Sequence, residues 1–339
     1  MTTLLDVDGL ATHFPLPRGP VGALRRAPRR VVRAVDGVSF TVGAGELVAL
    51  VGESGSGKTT TAQSVLRVVD PSTGTVRFRG QDITALGRRA LKPVRRHMQV
   101  VYQDPYESLD PRFRIGRSVA EPLVVHRVGT RAGRRELVLA ALERAGLTPA
   151  ETFAGRYPHE LSGGQRQRAA IAAALVLGPD LLIADEPVSM LDVSVRAGVL
   201  GVLDELRRDG LGILMITHDL STAAHHADRI AVMYLGRVVE EGPAAEVVRN
   251  PSHPYTRALV AAVPRAGGTR RDVGIPAGDA PDPADVPGGC RFHPRCPIAI
   301  DACTRTDPAL LAVAGAAAHR AACPITRNQE TTCHQPLPR

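Results

Sequence analysis

Short apolar segments alternating with helix-patterned ones predict an α/β fold on a parallel sheet, preceded by antiparallel strands. Three observations carry that prediction. Glu46–Val51 is an apolar run leading straight into the glycine-rich Gly52-Glu53-Ser54-Gly55-Ser56-Gly57-Lys58-Thr59-Thr60. Asp180–Asp185 and Gly212–Thr217 are runs of the kind that a parallel sheet buries on both faces. Helical patterns at Thr59–Val69 and Val193–Arg208 separate such strands.

Taken in order, Leu4–His13 and Ala34–Val42 read as antiparallel strands. Between them, Pro15–Pro20 and Arg25–Arg30 are too rich in Pro, Gly and Arg for a core element, so a surface loop is expected. A solvated loop is favoured over one that touches anionic lipid or a partner. After the first helix, which stops at Asp70-Pro71, come a turn at Pro71–Gly74 and a strand at Thr75–Arg79. Leu86–His97 is an arginine-rich helical or irregular stretch. Met98–Tyr102 is a buried strand ending at Gln103-Asp104-Pro105. Ser108–Gly146 turns helical, and Ser162 with Gln165 has capping-box spacing at the start of a helix to Leu177. Beyond the Gly212–Thr217 strand, Ser221–His226 starts a helix, and Ile230–Tyr234 and Arg237–Glu240 form an edge hairpin around Leu235-Gly236. Ala266–Pro287 reads as a linker, and a cysteine-bearing tail follows.

Composition bounds the function classes. The 339 residues hold one large domain plus an extension, or two modest domains. No run approaches ~18 apolar residues, and the start of the chain lacks a signal-peptide pattern, so a cytosolic protein is expected. Any membrane role then runs through partners. A net charge of +8 admits an anionic partner, but the arginines are spread out and form no stripe. Nucleic acid is therefore not expected as a partner.

The Gly52–Thr60 stretch fits the G-x-x-x-x-G-K-[ST] pattern of a phosphate-binding loop. Its glycines let backbone N–H groups point inward at phosphates, and the following helix start adds partial positive charge. Lys58, one of only two lysines in the chain, supplies a point charge, and the Thr59 hydroxyl is placed to reach Mg²⁺. Asp185 at a strand end is a Mg²⁺ ligand candidate, and Glu186 is placed to polarise an attacking water. His218 follows another buried strand, at the sheet edge where α/β ligands bind, and reads as a γ-phosphate donor. Ser162-Gly163-Gly164-Gln165 opens a capped helix whose N–H groups suit a second phosphate cluster. A second phosphate-binding helix start points to a nucleotide sandwiched between two subunits.

At these residues the chain resembles the ATP-binding cassette (ABC) ATPases over about residues 4–265. The resemblance implies a P-loop ABC-type ATPase core, with an antiparallel β subdomain and a helical subdomain at about 104–178. It likens Gly52–Thr60 (Gly52, Ser54, Gly55, Gly57, Lys58, Thr59 and Thr60) to the Walker A loop, and Gln103 to the Q-loop glutamine, a further Mg²⁺ ligand. Leu161–Gln165 resembles the signature motif, Asp185 and Glu186 the Walker B acid and catalytic glutamate, Asp192 the D-loop aspartate, and His218 the switch histidine. It implies that Lys58, Thr59, Asp185 and Glu186 of one chain act on ATP with Ser162–Gln165 of another. At 30–33, where the family often stacks an aromatic on adenine, this chain has Arg30-Val31-Val32-Arg33.

Val101–Arg112 and Asn250–Leu259 are similar to segments in ATPase subunits of oligopeptide and dipeptide importers, a group that includes nickel and glutathione importers. That resemblance implies a subunit at the cytoplasmic face of the cell membrane. Its partners would be a second ATPase subunit, two permeases and an extracytoplasmic solute-binding protein. A soluble ABC ATPase acting on ribosomes or DNA, and an exporter ATPase, are the alternatives. The expected organisation is an ATPase domain over 1–265 and an extension over 266–339.

The tail carries Cys290, Cys296, Cys303 and Cys323. A disulfide pair is disfavoured in a reducing compartment. The spacings lack the close pairs usual in structural zinc sites. Four thiolates, two followed by Pro, fit a [4Fe–4S] cluster, and the tail resembles the importer extension in which such clusters occur. Cluster is favoured over zinc and over unliganded thiols. Cys333 lies outside the pattern.

Overall fold

The computed structural model describes residues 2–17, 30–104, 108–263 and 281–327. Residues 18–29 of the predicted insertion, Pro105–Glu107, most of the predicted linker and Cys333 lie outside the described residues.

The chain opens with two long strands, β1 (Thr3–Pro15) and β2 (Val31–Gly43). Next come β3 (Leu47–Val51), buried at every residue, and helix α1 (Lys58–Val65). The helix stops four residues before the predicted Val69. Arg67 takes a left-handed φ of 54°, and the N–H groups of Val68 and Val69 turn back to the Gln63 carbonyl. A left-handed residue just past the last turn satisfies orphan carbonyls and ends a helix. After it come β4 (Thr73–Phe78), β5 (Gln81–Asp82), α2 (Arg88–His97) and β6 (Met98–Val101).

Four helices follow: α3 (Ile115–Val125), α4 (Arg131–Arg144), α5 (Ala150–Gly155) and α6 (Gly163–Leu175). They pack on one another through Ile115, Val119, Leu123, Val138, Leu142 and Ile171, all buried. Then β7 (Leu181–Asp185), α7 (Val193–Arg208), β8 (Gly212–Thr217) and α8 (Leu220–His226) alternate. The predicted spans of α7 and β8 coincide with the observed ones. Next are β9 (Arg229–Tyr234), β10 (Arg237–Pro243), α9 (Ala244–Arg249) and α10 (Pro254–Ala262). The tail adds α11 (Asp301–Arg305), β11 (Leu311–Val313), β12 (Ala316–Ala321) and α12 (Pro324–Arg327).

The chain divides into two compact units. The first takes in Met1–Asp6, Thr41–Val48 and Val76–Thr217; the second Val7–Phe40, Ala49–Thr75 and His218–Arg339. In the first unit β6, β7 and β8 form a parallel ladder, Val101 opposite Ala184 and Asp185 opposite Ile216. Every residue of β7 and β8 is buried, as continuous apolar runs require. Burying each Leu or Ile contributes roughly 2 kcal/mol before entropy is subtracted.

In the second unit β9 and β10 pair antiparallel around Leu235 and Gly236, with φ of 44° and 79°. Two consecutive positive φ values match the right-handed twist of the flanking strands. The hairpin is not at an edge as the sequence implied. β12 pairs with β10, Glu240 opposite Ala321, and β11 pairs with β12. The Glu240 carboxylate lies wholly inside this unit. It accepts the N–H groups of Ser252 at 2.7 Å and His253 at 2.8 Å, and meets His319 Nε2 at 2.7 Å. A buried carboxylate persists only with such a complete set of partners.

Candidate nucleotide site

The second unit holds the phosphate loop. β3 ends at Val51, and the loop runs to α1, whose N-cap Gly57 sits at φ 101°. Glycine is required at two of its positions for different reasons. A side chain on Gly52 would meet the Met233 carbonyl oxygen. One on Gly57 would meet the Ala34 carbonyl oxygen and would also sit in the left-handed region. Gly55 adopts φ 78° at the exposed rim, beside exposed Ser54.

Lys58 folds across the loop, its Nζ donating to the carbonyls of Gly52 at 2.7 Å and Glu53 at 2.9 Å. The Ser56 hydroxyl lies 3.3 Å from the same Nζ. The ammonium is thereby held in the concavity that the glycines form. Thr59 is exposed in the first turn of α1, and Thr60 is half-buried beside it. His218 opens this unit's last segment and is exposed. The next residue, Asp219, caps α8 by accepting the Ser221 and Thr222 N–H groups.

The first unit holds the acids. Asp185 ends β7 and is buried; Glu186 follows with a left-handed φ of 47°. That conformation costs a non-glycine residue roughly 1 kcal/mol. It is held by the Glu186 N–H bond to Ile216 O at 2.8 Å and by Ser189, whose N–H and hydroxyl both reach the Glu186 carbonyl. Gln103 Nε2 donates to Glu186 Oε2 at 3.2 Å. A cleft of about 620 Å³ opens here, walled by Gln103, Asp185, Val100, Tyr102, Pro122 and Ala174.

The capping box of the first unit forms as the spacing predicts. Ser162 Oγ accepts the Gln165 N–H at 3.3 Å, and Gln165 Oε1 accepts the Ser162 N–H at 3.0 Å. Ser162 is exposed, while Gly164 is buried against Val195 of α7. Asp192 is the exposed N-cap of α7.

Each unit offers hard oxygens of the kind Mg²⁺ takes, Thr59 in the second and Asp185 and Gln103 in the first. Among the described residues no group of three or more His, Cys, Asp or Glu is arranged to hold a metal ion. Only Asp185 of these three is a residue of that kind, so the result leaves Mg²⁺ untouched. The same result covers Cys290, Cys296, Cys303 and Cys323, so the iron–sulfur reading gains no support from their geometry. The Cys290 N–H does bond the Cys303 carbonyl at 2.8 Å, and burial, with the other three thiols nearby, pushes the Cys290 thiol up to about 11.

Sequence reasoning missed two contacts of the phosphate loop. Tyr255 Oη accepts the Glu53 N–H at 2.9 Å and Arg295 pairs with the Glu53 carboxylate, while Tyr234 packs behind them against Tyr255 and Phe292. Both loop partners lie more than 200 positions from Glu53, beyond any local pattern. At 30–33, Arg30 pairs with Asp282 at 3.2 Å, and the Arg33 N–H reaches the Pro283 carbonyl.

A phosphate loop, a strand-end acid pair and a glutamine on the second acid define a P-loop ATPase. Residues 35–189 match the ABC transporter family, and residues 239–303 match the oligopeptide/dipeptide transporter C-terminal region. A probable peptide ABC transporter ATP-binding protein of Sinorhizobium fredii is 46% identical over 91% of this chain and 86% of its own length. The oligopeptide transport ATP-binding protein AppF of Bacillus subtilis is 45% identical over 90% of this chain and 93% of its own. The dipeptide transport ATP-binding protein DppF of Escherichia coli is 43% identical over 91% and 90%. Among solved structures, a dimeric post-hydrolysis state of the cassette MJ0796 with ADP and Pi is similar. It has a TM-score of 0.61 and 28% identity, over 71% of this chain and 99% of that one. The protein cbiO1 of Clostridium perfringens, part of the ABC transporter complex cbiONQ, gives 0.63 and 28% over 74% and 92%. The chain belongs to the ABC transporter ATPases, in the branch of the peptide-import ATP-binding proteins. No helix among the described residues is long and apolar enough to cross a membrane.

Proposed function

We propose that the chain hydrolyses ATP to drive uptake of oligopeptides, dipeptides or a related solute. Lys58 and the loop N–H groups of Gly52–Thr60 bind the β- and γ-phosphates. Thr59, Asp185 and Gln103 would hold Mg²⁺, which would neutralise phosphate charge. Glu186 polarises the attacking water and His218 donates to the γ-phosphate. Phosphoryl transfer asks for positioning and charge neutralisation more than for covalent chemistry. The observation that carries the reading is Glu186, fixed by Ile216, Ser189 and Gln103 in a conformation that costs energy to keep.

Ser162, Gly163, Gly164 and Gln165 act on the nucleotide of a second ATPase subunit, with Asp192 in the adjoining loop. The exposed, capped start of α6 supports this, as does the dimeric state of MJ0796. Two permeases and an extracytoplasmic solute-binding protein complete the importer, and the chain works at the cytoplasmic face of the membrane. The working division is an ATPase domain over 1–265, its helical subdomain at about 104–178, and an extension over 266–339.

The finer reading of the tail is a [4Fe–4S] cluster on Cys290, Cys296, Cys303 and Cys323. It rests on the donor set: the thiols of Cys303, Cys323 and Cys296 lie near enough to Cys290 to add to the burial that raises its pKa. Iron, sulfide and zinc analysis of anaerobically purified protein tests it; absence of all three sinks it. The ATPase reading is tested by Mg²⁺-dependent phosphate release. Glu186→Gln is expected to keep ATP binding and lose turnover; normal hydrolysis by that variant would remove Glu186 from its role.

A further inference from the structure

Arg295 lies in the tail, one residue before Cys296, yet its guanidinium reaches the phosphate loop. Nη1 donates to Glu53 Oε2 at 3.0 Å and Nη2 to Oε1 at 3.3 Å. Two parallel bonds from a planar guanidinium to one carboxylate fix orientation as well as distance. The side chain is only 8% exposed, so solvent screens the pair far less than a surface ion pair. Nη1 also donates to Tyr234 Oη at 3.3 Å, and the guanidinium lies near the faces of Tyr234 and Phe292. Its Nε–H is buried with no acceptor among the described residues. The guanidinium forgoes that bond while both terminal nitrogens face Glu53.

Glu53 is held at three points. Its carboxylate meets Arg295, its N–H meets Tyr255 Oη at 2.9 Å, and its carbonyl accepts Lys58 Nζ at 2.9 Å. Anything that fixes Glu53 thus fixes one of the oxygens that place the loop lysine. Burial opposes the charge on Arg295, and the bonds to Glu53 and Tyr234 outweigh it, so the guanidinium stays protonated.

We propose that Arg295 is a positioning residue for ATP binding: through Glu53 it sets the phosphate loop and Lys58 in nucleotide-ready geometry. The proposal rests on the ATPase reading above and adds to it that the tail governs nucleotide affinity. A staple that merely attached the tail would change stability and leave affinity alone.

The test is equilibrium binding of a fluorescent ATP analogue to the full chain, with hydrolysis and thermal unfolding measured in parallel. Arg295→Ala is expected to weaken binding about tenfold, ~1.4 kcal/mol, with kcat at saturation within about twofold. Arg295→Lys should recover only part of the loss, because an ammonium cannot make the paired bonds. If Arg295→Ala does not fold, Glu53→Gln carries the same test from the loop side with the tail packing intact. Unchanged affinity in folded Arg295→Ala or Glu53→Gln overturns the proposal, whatever the shift in Tm. Failure of the wild type to hydrolyse ATP would overturn the ATPase reading instead, since binding is read without turnover.

Discussion

Gln103 and Glu186 face each other across 3.2 Å, the amide of one donating to the carboxylate of the other. The pair is exposed, so it adds little to stability and its effect is expected in turnover. Gln103→Ala should lower kcat about tenfold, equivalent to ~1.4 kcal/mol of transition-state stabilisation. The midpoint of urea unfolding should not move. Steady-state phosphate release and a denaturation curve check both halves; a shifted midpoint with unaltered kcat would make the contact structural.

Ser162 and Gln165 satisfy each other's backbone N–H at the head of α6. Removing a Ser cap costs about 1 kcal/mol. Ser162→Ala is therefore expected to destabilise by that amount. Ser162→Asp, which keeps the cap but adds negative charge where a phosphate would sit, should retain stability and lose ATPase activity. Comparing urea midpoints with turnover separates the two roles of the same residue.

Gly164 is the contact point of α6 with α7, and a Cβ there would run into Val195 Cγ1. Overpacking a site of this kind costs about 1–3 kcal/mol. Gly164→Ala should destabilise within that range, and Val195→Ala in the same chain should recover most of the loss. Additive effects in the double-mutant cycle would mean that the two residues do not collide.

His253 is fully buried at the start of α10, where its Nδ1 accepts the Tyr255 N–H at 3.1 Å. Burial depresses its pKa from 6.5 to about 4, with Glu240 opposing and Arg257 assisting. The unfolded chain therefore takes up a proton below pH 6.5 that the folded chain refuses until about 4. By linkage, stability is complete above pH 6.5 and falls as pH drops towards 4, by on the order of 3 kcal/mol in all. His253→Asn, which keeps an N-cap acceptor, should remove that slope. Unfolding free energies of both proteins between pH 7 and 4 decide it, and parallel curves would count against the buried neutral imidazole.

Some of this was legible locally. The span of α7 follows from Asp192 ahead of a run with Val199, Leu203 and Leu206 on one face. The hairpin was marked by Gly236 between two apolar runs, although Leu235 carries no sign of its own positive φ. The phosphate loop, the acids and the capping box are local patterns, and the structure places them at a strand-to-helix turn, a strand end and a helix start. What failed was non-local. β12 reads Ala-Ala-Ala-His-Arg-Ala, with no strand propensity, and becomes a strand by pairing with Glu240 and Glu241. The end of α1 was overrun because Arg67 carries no sign of its left-handed backbone. The Glu53–Arg295 pair joins residues 242 positions apart, and no periodicity reports such a contact. The cysteines were read from their number and spacing, which do not determine how side chains converge.

The buried Glu240 has a consequence for any attempt to transplant the tail. Its carboxylate is completed by Ser252 and His253 on one side and by His319 on the other, so the modular seam of this protein is not at the linker. A chimera cut at residue 265 would take His319 from the buried Glu240 and bare the side of β10 that β12 covers. A recipient ATPase must therefore accept strand, histidine and tail together.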